Sequence, residues 1–271
     1  MATGAWALHP RYTRGMIRVT LFRRSPEPKT ITVTVGGASY AVRLSRNRRA
    51  RRYTLRIHTA LREAVLTMPV RGNLADATRF AQAHGSWLAK RLALLPEVAP
   101  FADGETVPLR GVDHRIMHRP HTRGTVWTEQ AGDQRLLCVA GSREHAERRV
   151  RDFLKREARR DLESSVATYV QALDVKIRRI SIRDQSSRWG SCNSAGVLSF
   201  SWRLILCPPF VLDYLAAHEV AHLVEMNHSA RFWKLLRRIC PATDDATRWL
   251  DAHGNALHRY GAARQSDQRE F

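Results

Sequence analysis

The sequence predicts an α+β fold, with an antiparallel β-rich region at the amino terminus followed by a helical region that contains a small β-sheet. Short apolar segments separated by glycine and proline fill the first half of the chain, which is typical of strands joined by tight turns. Helical spacing of apolar residues dominates the second half. A chain of 271 residues, 44% of them apolar, is long enough to bury a hydrophobic core.

The first region is expected to be an antiparallel meander of four strands, covered by one helix. The strands are predicted at residues 30–35, 39–44, 53–58 and 63–70. Gly36 and Gly37 predict a hairpin between the first two strands, because glycine tolerates the positive φ that such turns require. Asn73 is expected to cap a single helix over residues 74–95.

The rest of the chain is expected to combine short strands with longer helices. Strands are predicted around residues 107–116, 124–128, 135–140, 176–183 and 197–206, with a polar loop at 186–194. Helices are predicted at 144–173, at 209–226, where Pro209 suits the first turn, and at 229–239 and 243–256. The helix at 209–226 is apolar, whereas the helix at 144–173 has a strongly basic exposed face.

The chain is strongly basic, since 45 lysine and arginine residues face 25 acidic residues and the net charge is +20. Such a charge attracts nucleic acid, anionic lipid or acidic substrates, although a merely solvated basic surface is an equally good interpretation. The densest cluster is predicted to form an anion-binding face together with the basic helix, and nucleic acid is one possible partner. This cluster contains Arg46, Arg48, Arg49, Arg51 and Arg52.

Nothing in the sequence predicts a membrane span or a secretory signal. No apolar run approaches about 18 residues, and the first residues of the chain are mixed and basic. The four cysteines are far apart and lack the C-x-x-C spacing of a zinc ribbon or a redox site. We therefore predict a cytoplasmic protein with reduced thiols.

His218, Glu219 and His222 form an HExxH motif inside the predicted apolar helix. Four helical residues span about 400°, so the two histidines lie one turn apart on the same face and can bind one ion. Glu219 is offset by about 100° and lies beside them, where a carboxylate can activate a water molecule without becoming a ligand. The motif predicts a metal-dependent hydrolase.

A third ligand is predicted at His228, because a catalytic zinc site needs three protein ligands and one open position. Asn227 is expected to adopt the left-handed conformation that ends a helix, and Ser229 to cap the next helix. This turn would bring His228 to the ion from a direction that the helix cannot supply. Neutral imidazoles without paired thiolates favour a catalytic zinc ion, one per chain.

Residues that flank the motif in the sequence are candidates for supporting roles. The candidates for substrate binding are Arg188, Trp189, Gly190, Arg203 and Tyr214. A glycine permits close backbone approach, and a strand edge beside it could bind an extended peptide. Asp213, five residues before His218, is a candidate carboxylate for orienting a ligand. A surface or packing role is the alternative for each of them.

Several segments also carry a resemblance to a known family. They are Arg188-Trp189-Gly190-Ser191-Cys192, Ser201-Trp202-Arg203-Leu204-Ile205, Asp213-Tyr214, HEVAHLVEMNHSARFWKLL and RNRRARRYTLRI. Together they resemble the YgjP-like metallopeptidase family, related to SprT-type proteases, over roughly residues 40–256. The resemblance implies a zincin-like catalytic domain whose zinc ligands are His218, His222 and His228 and whose catalytic residue is Glu219. Departures at Ser201, Cys207 and Pro209 affect no ligand.

The resemblance leads us to divide the chain into four parts. They are an extension (1–29), a β-rich subdomain with one helix (30–142), a zincin-like metallopeptidase domain (143–258) and a tail (259–271). The leading interpretation is a zinc peptidase that acts on a peptide or protein, including proteins bound to nucleic acid. One alternative is a metal-dependent hydrolase of a nucleotide or another small phosphate compound, with arginines around the metal. The other is a basic nucleic-acid-binding module with structural zinc, which has no need of Glu219.

Overall fold

The computed structural model describes residues 28–58, 61–185 and 188–261. Within these residues, six helices and three small mixed sheets confirm the predicted α+β class with a β-rich amino-terminal region. The predicted extension and tail lie mostly outside the described residues. No helix in the described part of the chain combines the length and the apolar composition needed to cross a bilayer.

The first sheet contains four strands in the spatial order β1-β2-β4-β3. They are β1 (Thr30–Val35), β2 (Ala38–Asn47), β3 (Thr54–His58) and β4 (Glu63–Pro69). Strands β2 and β4 are parallel, so the predicted antiparallel meander is wrong. The most apolar strand, β4, takes a central position where Val65 and Leu66 are fully buried, whereas β3 carries the exposed Arg56 and lies at the edge.

Two short helices, α1 (Leu74–Ala83) and α2 (Gly85–Ala93), replace the single helix that was predicted. Asn73 does cap the first, since its side chain accepts a hydrogen bond from the Ala75 N–H at 2.8 Å. The break lies at His84, where the backbone leaves helical geometry. Gly85 then packs against β1 so closely that a Cβ atom there would lie 2.6 Å from Val35 Cγ2. This close packing leaves room only for glycine.

The second sheet repeats the topology of the first, with the order β5-β6-β8-β7 and a parallel central pair, β6 and β8. Its strands are β5 (Thr106–Leu109), β6 (Val112–Arg119), β7 (Val126–Ala131) and β8 (Gln134–Ala140). The segment predicted as one strand at 107–116 is a hairpin, because Arg110 and Gly111 both have positive φ. Backbone hydrogen bonds from these two residues to Ile205 and Leu206 join the sheet to the following region.

The remaining elements surround a third sheet with the order β10-β11-β9. They are α3 (Ala146–Ala172), β9 (Arg179–Arg183), β10 (Gly190–Cys192), β11 (Val197–Ser201), α4 (Pro209–Ala221), α5 (Ala230–Ile239) and α6 (Thr243–Leu257). A 3₁₀ turn, Trp202–Leu206, replaces the end of the strand predicted at 197–206. The apolar helix α4 begins at Pro209 as predicted and ends five residues earlier than the predicted limit of 226.

The buried apolar side chains form two separate clusters. The first joins β1–β4 with α1 and α2 and includes Val33, Leu66 and Leu88. The second joins the second sheet to α3–α6 and includes Leu137 and Leu154. The second sheet therefore shares its core with the helices that follow it. The domain boundary between residues 142 and 143 stays a prediction.

Candidate metal centre and its cleft

The carboxyl-terminal end of α4 positions two histidines inside the molecule. The helix is apolar around its whole circumference because it packs against α3, α5 and α6 and is buried on nearly all sides. His218 lies in its last turn, and His222 follows as the C-cap with helical dihedral angles of φ −63° and ψ −20°. The two imidazoles consequently lie one turn apart, with ring centroids separated by 5.0 Å.

His228 reaches the same place from the connection between α4 and α5. The Ser229 N–H donates to the Asn227 carbonyl at 2.7 Å, which makes His228 the central residue of a three-residue turn. The expected left-handed conformation of Asn227 is wrong, since φ is positive at no non-glycine residue in this connection. The Ser229 side chain does cap α5, accepting a hydrogen bond from the Phe232 N–H.

The ligand atoms of the three histidines lie within 4.8 Å of one another and could hold a metal ion. The Nε2 atoms of His218 and His228 are 3.0 Å apart. Two nitrogens that share a tetrahedral zinc ion at about 2.0–2.1 Å lie about 3.3 Å apart, so the donor set fits such an ion. Burial, reinforced by the neighbouring histidines, lowers the pKa of His218 to about 4, and burial also lowers the pKa of His222. Both rings are therefore neutral at pH 7 and present lone pairs.

Hydrogen bonds at Nδ1 leave the Nε2 atoms available to an ion. His222 Nδ1 lies 3.1 Å from the Glu225 carbonyl oxygen and donates to it. Tyr214 lies one helical turn before His218, and its hydroxyl is 3.4 Å from His218 Nδ1. Tyr214 is only 5% exposed and packs against the His218 ring, so it lies behind this imidazole and outside the lining of the cleft.

Asp213 does not take the orienting role that was predicted. Five helical residues span about 500°, which turns Asp213 about 140° away from His218 around the helix. Its carboxylate instead accepts a hydrogen bond from the Tyr169 hydroxyl at 2.5 Å, which joins α4 to α3. Tyr214, four positions before His218, lies on the same face of α4 as this histidine, whereas Asp213, five positions before it, does not.

Phe232 of α5 is a part of the site that the sequence did not reveal. The ring is fully buried, and its centroid lies 5.0, 4.6 and 4.9 Å from the centroids of His218, His222 and His228. All three imidazoles therefore pack around one aromatic ring. An apolar residue three positions after a helix cap usually belongs to the hydrophobic core, so nothing in the sequence distinguished Phe232 from an ordinary core residue.

Glu219 is a buried carboxylate with only 4% of its surface exposed, and it makes no hydrogen bond to any described residue. Burial raises its pKa to about 7, and the nearby Arg188 opposes this rise. The backbone of β10 passes so close that a Cβ atom at Gly190 would lie 2.4 Å from Glu219 Oε1. The close approach predicted for Gly190 is thus an approach to the carboxylate.

These groups line one open cleft of about 240 Å³. The lining residues are Gly190, Ser191, Cys192, His218, Glu219, His222, Met226 and His228. Ser191 and Cys192 belong to β10, inside the segment predicted to be a polar loop. Burial and the charge of Glu219 raise the pKa of the Cys192 thiol to about 11, so this thiol is protonated at pH 7.

Comparison with known protein families agrees with this geometry. The family model described as the YgjP-like metallopeptidase domain matches residues 51–253, which is three quarters of the chain. The chain belongs to the YgjP-like metallopeptidase family. Membership supports a hydrolase of the metallopeptidase type that uses a metal and acts on a peptide or protein. Searches of curated proteins and of solved structures found no significant match.

Arg203, a predicted substrate-binding residue of this YgjP-like protein, is turned into the core. Only 2% of its surface is exposed, and it pairs with Asp184 at 3.1 Å. It also donates to the carbonyls of Leu257 and Tyr260 and lies over the Trp202 ring, 4.5 Å from the centroid. Its burial and these bonds contradict direct substrate contact.

Trp189 is partly buried beside the cleft of the YgjP-like domain. Its ring stacks on His258 at 5.2 Å, and it fills the space next to Gly254 of α6. Arg188, by contrast, is exposed and acts on Glu219 through its charge. The tryptophan therefore anchors the start of β10, while the arginine side chain extends into solvent.

The arginine cluster lies in the first sheet and in the loop after β2, away from the residues that line the metal cleft. Arg46 donates to the carbonyls of Pro69, Val70 and Gly72, so it ties β2 to the end of β4. The other members, Arg48, Arg49, Arg51 and Arg52, are exposed. Anion binding by this cluster stays a prediction.

Proposed function

We propose that this protein is a zinc-dependent metallopeptidase that cleaves peptide bonds. His218, His222 and His228 would hold one zinc ion per chain, with Glu219 as the general base. One observation carries the proposal: three imidazole nitrogens converge in an open cleft beside a buried carboxylate that has no hydrogen-bonding partner among the described residues.

The donor set favours zinc over other common divalent ions. Neutral imidazole suits zinc, whereas magnesium and calcium prefer oxygen ligands. Three protein ligands leave a fourth tetrahedral position for catalysis, and the cleft is open to solvent at the exposed His228. A structural site would instead be closed by a fourth protein ligand.

A zinc ion bound there supplies Lewis acidity, which acidifies water and polarises a carbonyl group. Glu219 accepts the proton of the attacking water at a carboxylate oxygen and later donates it to the leaving amine nitrogen. The backbone at Gly190 limits how far this carboxylate can move, because Cα of Gly190 approaches it without an intervening side chain. Tyr214 holds His218 in one tautomer through Nδ1.

Strand β10 suits an extended peptide substrate. Among the described strands it pairs only with β11, which leaves the other edge of β10 without a strand partner. Gly190, Ser191 and Cys192 of this strand line the cleft beside Glu219. A substrate that adds to the edge as another strand would bring its backbone carbonyls to the metal site. Arg188, Trp189 and Gly190 would then contact the substrate or shape the cleft.

The two alternatives have less support. Hydrolysis of a nucleotide needs arginines that converge on the metal, and Arg203 is occupied by Asp184 and two carbonyls. Only Arg188 of the two predicted arginines acts on Glu219. A binding module with structural zinc has no use for an open cleft with a buried carboxylate.

The metal content of the purified protein tests the proposal. Elemental mass spectrometry is expected to find close to one zinc ion per chain and much less in His228→Ala. The content should be unchanged in the control His121→Ala, whose imidazole is exposed and does not line the cleft. The same samples should cleave an unfolded protein substrate in proportion to their zinc content. Absence of zinc from the wild-type protein, or equal loss in both variants, would refute the site.

A further inference from the structure

A second cleft, of about 320 Å³, lies between α3 and the end of β9. Its lining is mostly cationic: Lys155, Arg156, Arg159, Ile182, Arg183 and Asp184. None of these residues lines the metal cleft. We call it the basic cleft.

Three of the four cations of the basic cleft differ from most other arginines of α3, because they have no carboxylate partner among the described residues. Elsewhere on this helix, Arg148 pairs with Asp152, Arg151 with Glu147 and Arg160 with Glu157, one helical turn apart. In contrast, the side chains of Lys155 and Arg183 form no ion pair or hydrogen bond with any described residue. Arg156 only lies over the ring of Phe153, 5.8 Å from its centroid. Lys155 and Arg156 of this helix thus face the cleft without a carboxylate partner among the described residues, whereas Arg149, which also lacks one, donates to the Ala140 carbonyl.

The carboxylates near the basic cleft do not neutralise it. Asp184, the only acidic residue in the lining, is engaged by the buried Arg203 at 3.1 Å. The pair between Arg159 and Glu163 is about half exposed on both sides, and such surface pairs contribute at most about 1 kcal/mol. An anion that entered would meet three cations with no competing partner and a fourth that is weakly held.

We propose that the basic cleft binds phosphates of a nucleic-acid backbone, without reading the base sequence. Guanidinium groups bind phosphate oxygens through paired N–H donors, and lysine adds a mobile point charge. Among the described lining residues there is no aromatic side chain on which a base could stack, which directs recognition to the phosphates. Ile182 is the single apolar residue among them, so this lining lacks the apolar surface that insertion into a lipid bilayer uses.

The net charge of the whole chain and the basic cleft would contribute in different ways to binding of a nucleic acid. The net charge of +20 attracts a polyanion over a distance, and the unpaired side chains of the basic cleft then fix where it binds. The proposal does not depend on peptidase activity. It would hold for this fold even if the metal site acted on another substrate.

The experiment compares two triple variants that remove the same number of charges. One changes the basic cleft: Lys155→Gln, Arg156→Gln and Arg183→Gln. The matched control changes three exposed arginines of the second sheet and its connecting loop: Arg115→Gln, Arg123→Gln and Arg135→Gln. Binding of a short fluorescent DNA duplex of mixed sequence is measured by anisotropy over a range of salt concentrations, with the full-length chain.

Wild-type affinity is expected to fall linearly with salt on logarithmic axes. The cleft variant should reduce that slope by about 2–3, because each lost phosphate contact removes about 0.9, and should bind at least about tenfold more weakly. The control should change much less. Should the triple variant fail to fold, Arg156→Gln and Arg183→Gln alone are each expected to lower the slope by about 0.9.

Three results would overturn the proposal. Equal weakening in both triple variants would mean that only the total charge matters. Binding that does not respond to salt would exclude phosphate contacts. A cleft variant that keeps its DNA affinity but loses binding to vesicles of anionic phospholipid would assign the surface to a membrane instead.

Discussion

The surroundings of Arg203 and of Glu219 each bury a charged side chain, but they treat the charge in opposite ways. Arg203 is 2% exposed and meets Asp184 and two backbone carbonyls. Glu219 is 4% exposed and has no hydrogen-bonding partner among the described residues. The bonds of a buried charge that is fully paired offset its desolvation, whereas a buried charge without partners costs free energy and is typical of a reactive site.

Of the changes described here, Glu219→Gln should have the largest effect, and that effect should be a loss of peptidase activity. Loss of a general base lowers turnover by about 10²–10⁴-fold. The zinc content should be unchanged, and the free energy of unfolding should stay equal or rise slightly, because a neutral amide replaces a buried charge. Peptide cleavage and denaturant unfolding are measured on the same preparation. Full activity in this variant would remove Glu219 from the mechanism.

Arg203→Met should show the opposite pattern, with the main effect on stability. The change leaves the carbonyls of Leu257 and Tyr260 and the carboxylate of Asp184 without their donor, so the free energy of unfolding should fall by about 3 kcal/mol. Arg188→Met, at an exposed position, is the control and should change it by less than about 0.5 kcal/mol. Equal free energies of unfolding for the two variants would contradict a stabilising role for the bonds of Arg203.

Gly190→Ala tests whether the backbone of β10 positions the Glu219 carboxylate. The new Cβ would lie 2.4 Å from Oε1 of Glu219, so the carboxylate must move away. A displacement of about 1 Å in a catalytic group reduces turnover by about ten- to a hundredfold. Zinc content is expected to stay at the wild-type level. Ser191→Ala, at the next residue of the cleft, should have little effect. Similar kinetics for both variants would argue against a positioning role for the glycine.

The smallest effect concerns His258, which stacks on Trp189 and is 6% exposed. Burial, with Arg203 nearby, lowers its pKa to about 4, while Asp184 opposes this shift and His58 adds to it. Below about pH 6.5 the unfolded chain gains a proton that the folded chain does not, so stability is complete above that pH and falls down to pH 4.

Between pH 7 and about pH 5.5 this residue should account for about 1 kcal/mol of lost unfolding free energy. His258→Phe keeps a ring against Trp189 and should remove that part of the pH dependence. The difference between the two unfolding curves then measures the part of the pH dependence that belongs to His258. A parallel pair of curves would show that His258 is not neutral in the folded state.

The metal site was largely predictable because its geometry is local. His218, Glu219 and His222 lie within one helical turn, and the spacing to His228 needs only a short connection. The roles of Arg203 and Tyr214 were not predictable, because nearness in sequence does not state which way a side chain points. Phe232 escaped notice because an apolar residue that supports three ligands has the same sequence signal as any core residue.

The secondary structure was easier to predict than the pairing of strands. Alternating apolar residues and the Gly36-Gly37 turn locate the strands of the first sheet, but they do not say that β4 lies between β2 and β3. That choice depends on which strand gains most from burial on both sides. The break at His84 likewise accompanies the close contact of Gly85 with β1. The helix propensities of the residues carry no information about that tertiary contact.

The repeated arrangement of the two four-stranded sheets has a consequence for the order of folding. In each sheet, two hairpins of neighbouring residues are joined by a parallel pair of strands that are distant along the chain. Hairpins form in about 1–10 μs, whereas pairing of distant strands must first close a longer loop and is slower. Two hydrophobic clusters mean that this slow step occurs twice. Helix α4 shares its cluster with the second sheet, so an ion bound by its histidines would be released when that half of the molecule unfolds.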